Sequence, residues 1–356
     1  MDHSAEGSRR TSAIGGHPYA LARAGRRRAM CASFLCCALL YAVSGAADAP
    51  ASFEVPAWLF PIPAPVTAPV PAASAPDATR LLHVPGSDRA YTRAQLNDRF
   101  AVPDWHADAR PPVPEVVAHG RKPDVYACGY CHLPNGAGRP ENATVAGLPA
   151  EYIVQQVRAF ASGRRKTAWT ASSYLPATLM AQLAGLATDR ELSEAAAFYS
   201  SLTLGKPRAT VIETERVPRT RAIAYVYQRI GADGDEPLGN RLLELPVDFE
   251  RHELRDGRLE YVAYVPPGSL ERGRALALDG TTALPSCTSC HGPGLRGMGL
   301  IPPIAGRSPT YLLRQLVAFR TRARQAPEGL PMQSVVDGLD LGDMIAAAAY
   351  AGSLPP

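Results

Sequence analysis

The chain has 356 residues, 46% of them apolar and 20% charged, with a formal net charge of +4. That composition excludes wholesale disorder and leaves room for two domains of ordinary size. Residues 1–49 hold six of the 37 basic and three of the 33 acidic side chains, so the remainder balances at 31 against 30 and carries no electrostatic footprint for nucleic acid.

Arg26, Arg27 and Arg28 precede "AMCASFLCCALLYAVSGAADA", a basic region followed by an apolar segment and a run of small residues. This pattern predicts a signal peptide over residues 1–49, cut after Ala46 or Ala49, and export to the periplasm. Left uncleaved, the uncharged run from Ala29 to Ala47 falls just short of the roughly 20 residues that span a bilayer and would tether the chain to a membrane. Residues 50–76 are dense in proline and alanine, which stop helices and central strands, and read as a semi-rigid tether. The proline content persists to residue 112 around the short helical stretch "TRAQLNDRF", predicting a wrapping extension over 50–112.

Three of the seven cysteines lie in the leader, and the other four form two motifs, "YACGYCHLPNG" at 126–136 and "LPSCTSCHGPG" at 284–294. Sliding the chain along itself until Cys128 meets Cys287 superposes the motifs, and the register then runs without a gap to Arg165 on Arg324, with 12 of 38 positions identical. The chain is therefore internally duplicated. Each copy continues through a loop rich in glycine and proline into an amphipathic helix, "AEYIVQQVRAF" or "PTYLLRQLVAF", and closes with an alanine-rich helix, "TDRELSEAAAFYSSL" or "GDMIAAAAYAGSL". Thr188 or Asp189 is the expected N-cap of the first closing helix. Between the copies, residues 205–266 contain the alternating stretches "RAIAYVYQRI" and "RLEYVAYV", which predict short strands that pair or cover a domain face. His252, in this insertion, reads as a solvated loop residue.

CxxCH is the attachment sequence of c-type haem: two thiols separated by two residues add to the vinyl groups, and the next residue, a histidine, reaches the iron. Cys128, Cys131, Cys287 and Cys290 are thus the expected covalent attachment points of two haem c groups, with His132 and His291 as iron ligands. The rival readings are a redox dithiol, which needs no histidine, and a Cys₄ zinc site shared between the copies. For the far side of each iron, Met180 stands as far before Leu202 as Met332 stands before Leu354. These two thioethers are the expected distal ligands. Met344 reads as core and Met298 as too close to the proximal side, while His83, His106, His119 and His252 are the rivals that a bis-histidine site would need.

With "CGYCHLPNGAG", "AGLPAEYIVQQVRAF" and Met180, then "CTSCHGPGLRGMG", "IAGRSPTYLLRQLVAFRTRAR" and Met332, the chain resembles the tandem dihaem class I cytochromes c, the c-four-like group. The resemblance implies a mainly α fold with two cytochrome c class I haem domains in tandem, here at 113–204 and 267–356. An irregular proline-rich N-terminal extension and a central insertion with short strands lie outside it. It implies His and Met axial ligation and a carrier of single electrons, not an enzyme, working between periplasmic or membrane-bound oxidases, reductases or dehydrogenases. A dihaem peroxidase, or the haem subunit of a dehydrogenase, is the alternative. By the same resemblance Tyr152, Phe160, Tyr311 and Phe319 line the haem-side core. Arg165 and Arg324 either hold a haem propionate or lie solvated at a helix end.

Overall fold

The computed structural model describes residues 53–63, 79–107, 110–169, 174–231 and 234–356. The expected leader, its cleavage sites and its apolar run lie outside the described residues, as does the proline-rich stretch 64–78. Among the described residues no helix is long and apolar enough to cross a membrane.

The N-terminal segment packs on two distant parts of the chain. A 3-10 turn at Ala57–Leu59 sends Leu59 and Phe60 into the core of the second repeat, where the Leu59 carbonyl accepts a 2.9 Å bond from Arg314. Farther on, β1 (Leu81–Leu82) and β2 (Tyr91–Thr92) pair antiparallel and lead into α1 (Arg93–Asn97). Thr92 and Gln95 form a reciprocal capping box at its start, which is why so short a helix holds. Val84, Leu96 and Trp105 pack against Leu254 of the insertion.

In the first repeat α2 (Glu115–Ala118) precedes α3 (Cys128–His132), α4 (Ala150–Ala161), α5 (Leu175–Leu186) and α6 (Asp189–Ser201). Ile153 of α4 meets Ala195, Ala196 and Tyr199 of α6 in one apolar cluster. Thr188 is the N-cap of α6, its hydroxyl accepting from the Glu191 N–H while the Glu191 carboxylate accepts from the Thr188 N–H.

The insertion has more strand than its alternating pattern predicts. It comprises β3 (Ala209–Glu213), β4 (Arg216–Pro218), β5 (Thr220–Ile223), β6 (Val226–Arg229), β7 (Asp235–Pro237), β8 (Leu243–Pro246), α7 (Phe249–Glu253) and β9 (Tyr261–Val265). β9 is the centre of a three-stranded sheet, parallel to β3 and antiparallel to β8, and its Tyr261, Ala263 and Val265 face inward in strict alternation. The stretch "RAIAYVYQRI" does not pair with it. It folds back on itself as the β5–β6 hairpin through Ala224 and Tyr225, both at positive φ (47° and 68°), the hand that a two-residue hairpin turn requires.

The second repeat runs α8 (Ser269–Leu278), α9 (Cys287–His291), α10 (Pro309–Arg320), α11 (Leu330–Asp337) and α12 (Leu341–Ser353). The bounds of α3 and α9, and of α4 and α10, keep the register that sets Cys128 on Cys287, whereas those of α6 and α12 keep the shorter one that sets Leu202 on Leu354. Helix α8, unannounced by the sequence pattern, crosses α12 at Gly273. A Cβ there would lie 2.1 Å from the Ala346 carbonyl oxygen and 2.7 Å from the Tyr350 Cβ. The small alanines of α12 and this glycine let the two backbones nearly touch. Gly273→Val should therefore force the helices apart and destabilise the protein by about 1–3 kcal/mol, the usual cost of overpacking, read as a lower denaturant midpoint. Unchanged stability would contradict the close crossing.

Candidate functional site

Both CxxCH motifs form one helical turn, α3 and α9, with all four thiols free. Burial pushes the Cys128 thiol up to about 12 and raises Cys131 and Cys287 as well. Burial favours neutral sulfur at all three, and at Cys131 it outweighs the opposing pull of Arg139, Arg255 and Arg99. No three His, Cys, Asp or Glu side chains converge on a metal-sized site among the described residues. The shared Cys₄ zinc reading thus has no geometry to rest on.

The histidines are set identically. His132 Nδ1 lies 2.9 Å from the Ala143 carbonyl, and His291 Nδ1 lies 2.9 Å from the Pro302 carbonyl, each eleven residues onward. A carbonyl only accepts, so in both rings Nδ1 carries the proton and Nε2 presents its lone pair. Burial lowers both pKa values and holds the rings neutral. A buried neutral imidazole with its far nitrogen anchored is the arrangement metal-ligating histidines adopt. The loop that supplies the carbonyl is held by a matched turn: Gly138 N–H donates to the His132 carbonyl at 3.0 Å, and Gly297 N–H donates to the His291 carbonyl at 2.7 Å. Both glycines have positive φ, and a Cβ on Gly138 would come 2.4 Å from the Ala143 oxygen that anchors the ring. The residues present therefore fit two haem c groups, Cys128 with Cys131 and Cys287 with Cys290 attaching them, and His132 and His291 facing the iron.

The methionines are placed less symmetrically. Met180 is half-buried within α5, whereas Met332 is half-buried near the start of α11, packed on the apolar cluster that also receives Cys287. Met344 is wholly buried core, and Met298 is exposed. Of the rival histidines, His83 is exposed, His106 Nε2 pairs with Asp256 at 3.0 Å, and His119 Nδ1 donates to the Phe100 carbonyl. His252 is not solvated as its loop composition predicts. It is buried beside the Tyr261 hydroxyl at 3.1 Å, and burial, followed by Arg139 and Arg255, drives its pKa well down.

The duplicated polar residues meet at the seam between the repeats. Arg165 donates to Gln156 Oε1 (2.7 Å), the Tyr311 hydroxyl (2.8 Å) and Gln315 Oε1 (2.9 Å). Arg324 answers with Gln156 Oε1 (2.8 Å) and Gln315 Oε1 (3.3 Å). The backbones join there too, Lys166 N–H donating to Ala323 O and Gln325 N–H to Arg164 O. Arg165 and Arg324 are 7% and 9% exposed, which corrects the reading of either as a solvated helix end. Arg307 is also buried at the seam, donating to the Thr144 and Ala146 carbonyls, and burial lowers it to about 10, still cationic at neutral pH. The bonds these three guanidinium groups make go to neutral acceptors. The sequence signal for the seam was present: Tyr152, Gln156, Arg165 and their counterparts are identical between copies although polar.

No protein-family model matches the chain. It is 29% identical over 212 residues to a protein named thiosulfate dehydrogenase electron acceptor from Thiomonas intermedia, covering 58% of this chain and 70% of the relative. It is 33% identical over 97 residues to cytochrome c4 of Pseudomonas aeruginosa, covering 25% of this chain and 47% of the relative, so that this match spans about half the relative's length. Among solved structures it aligns with cytochrome c4 from Acidithiobacillus ferrooxidans at a TM-score of 0.42 and 18% identity, covering 64% of this chain and 98% of the other.

Gln156 and Gln315 each accept from both Arg165 and Arg324, Gln156 at the shorter distances. Gln156→Leu should cost about 2–3 kcal/mol, the scale for hydrogen bonds to charged groups, measured by denaturant unfolding. A loss below about 0.5 kcal/mol would show that these contacts are incidental.

Proposed function

We propose that this chain, which fits the c4-like dihaem cytochromes and carries two haem c groups, accepts single electrons from a periplasmic dehydrogenase and passes them to a further redox protein. The observation that carries the reading is the duplicated, neutral, Nδ1-anchored histidine behind each attachment motif. The relative from Thiomonas intermedia is named as the electron acceptor of thiosulfate dehydrogenase, and a donor enzyme of that class is the partner we assign.

When bound, haem c supplies one-electron chemistry at iron, and its potential is set by its ligands, burial and nearby charge. The protein's own residues then do the following. Cys128, Cys131, Cys287 and Cys290 fasten the groups as thioethers. His132 and His291 bind from one side, their tilt fixed by the Ala143 and Pro302 carbonyls, which also raise ligand basicity. Met180 and Met332 close the other side, a role supported by their equal spacing from Leu202 and Leu354 and, for Met332, by its packing in the cluster that holds Cys287. As ligands these thioethers would raise the haem potential and keep substrate away, leaving electron transfer as the chemistry the group supplies. Arg165, Arg324 and Arg307 are buried cations with neutral partners, and the carboxylates of the haem propionates are the anions that match them. The haem units are assigned to 113–204 and 267–356, and the leader at 1–49 directs export.

Met332→Ala should abolish the far-red sulfur-to-iron absorption of one haem and open it to carbon monoxide. An unchanged spectrum with no carbon monoxide uptake would contradict Met332 as ligand. Arg324→Met removes a positive charge that favours the reduced, less positive iron. The potential of at least one haem should fall by on the order of 50 mV, about 1 kcal/mol of lost attraction at a partly buried site. A rise, or no shift, in a spectroelectrochemical titration would contradict the propionate assignment.

A further inference from the structure

The two repeats keep one gap-free register through the loop after each CxxCH, yet the loop is covered in one copy and bare in the other. Residues 133–141 are buried or half-buried throughout, while most of their counterparts in 292–300 are exposed. Cys131 is half-buried and Cys290 exposed. In the loop that follows Cys290, Met298 and Leu300 are 56% and 43% exposed.

What covers the first loop comes largely from the insertion. Arg255, held at a left-handed φ of 60°, donates a 2.8 Å bond to the Tyr130 carbonyl inside the first CxxCH and stacks its guanidinium 3.7 Å over the Tyr130 ring. Asn135 donates to the Gly257 carbonyl at 2.9 Å. The N-terminal extension braces this cover from behind, Trp105 Nε1 donating to the Leu254 carbonyl at 2.7 Å and His106 pairing with Asp256 at 3.0 Å. The second repeat has Ser289 where the first has Tyr130, and Ser289 is exposed.

A thioether sulfur is bonded to the carbon that adjoins the porphyrin ring, so an exposed attachment sulfur brings the ring edge to the surface. Resting on the electron-carrier reading, we propose that the insertion insulates the first haem, and that electrons enter and leave through the Cys290 edge of the second. Arg296 is the single charged residue in 292–300, and Met298 and Leu300 make the face apolar. The partner that meets it is a redox protein with an apolar, nearly uncharged contact face. Each event moves one electron between the second haem and that partner, with no proton or bond transferred, and the first haem exchanges only with the second.

Two measurements on the dihaem holoprotein test this. In NMR spectra of the reduced protein, a dissolved neutral nitroxide should broaden the thioether methyl signals of the haem on Cys287 and Cys290 severalfold more than those on Cys128 and Cys131. Arg255→Ser should bring the first haem's broadening up toward the second's. This readout needs no electron exchange with any partner, so it can fail while the carrier reading stands, and haems that cannot be cycled reversibly would sink the carrier reading alone. In the second measurement, Met298→Glu should slow oxidation of the reduced protein by hexacyanoferrate(III) about tenfold at low ionic strength, through like-charge repulsion at the exchange face. The exposed Arg258→Glu, on the cover of the first repeat, should leave that rate within about twofold. Equal broadening of both haems, no effect of Met298→Glu, or an equal effect of Arg258→Glu overturns the proposal.

Discussion

The hydrogen bond from each histidine Nδ1 to a carbonyl eleven residues downstream is the constraint on which the rest of the molecule depends. It decides the tautomer, hence which nitrogen faces a metal, and it does so twice with the same 2.9 Å geometry. To present that carbonyl the loop must reverse tightly behind the motif, which requires Gly138 and Gly297 at positive φ. To hold the loop against the rest of the repeat, Gly147 N–H donates to Tyr199 O and Gly306 N–H to Ala351 O. The attachment segment and the closing helix of each repeat are thereby joined. Because the glycines keep the register of the motifs while Tyr199 and Ala351 keep the shorter one of the closing helices, this one contact reconciles the two registers of the duplication.

The seam has the opposite electrostatic character from the histidine niches. Burial keeps the imidazoles neutral, whereas Arg165, Arg324 and Arg307 remain charged because a guanidinium does not give up its proton in a protein. Burying an uncompensated cation costs several kcal/mol, and here Arg324 also feels Arg165, which after burial is the next cause lowering its pKa. The carboxylates of covalently held haem are the anions we assign to this arrangement. The insertion makes a separate contribution at the same seam: Glu244 on β8 accepts from the Ser308 hydroxyl and the Thr310 N–H at the start of α10, tying the strand layer to the second repeat.

The attachment motifs, α4, α6, α10 and α12 were legible because their signals are local: a fixed cysteine spacing, an apolar stripe of helical period, an alanine-rich closing run, a Thr188 cap. The pairing inside the insertion was not, since Ala224 and Tyr225 turn a hairpin without the Asn-Gly or Gly-X chemistry that marks one, and β9 takes one neighbour, β3, from the far end of the insertion. Helix α8 was missed because its role rests on what Gly273 allows against α12, which no periodicity records. His252 looked solvated by its polar neighbours, yet it is buried between the Phe249 and Tyr261 rings. The seam residues were visible as polar identities between the copies, but only their meeting in space shows why polar residues repeat.

The central claim is that porphyrin iron is fastened covalently at both motifs. Intact-mass spectrometry of the protein purified from a host competent in cytochrome c maturation tests it most directly. The account predicts the polypeptide mass plus two haem groups, with peptides containing Cys128–His132 and Cys287–His291 each carrying one. A polypeptide of bare mass, or one carrying zinc in place of haem, would contradict it.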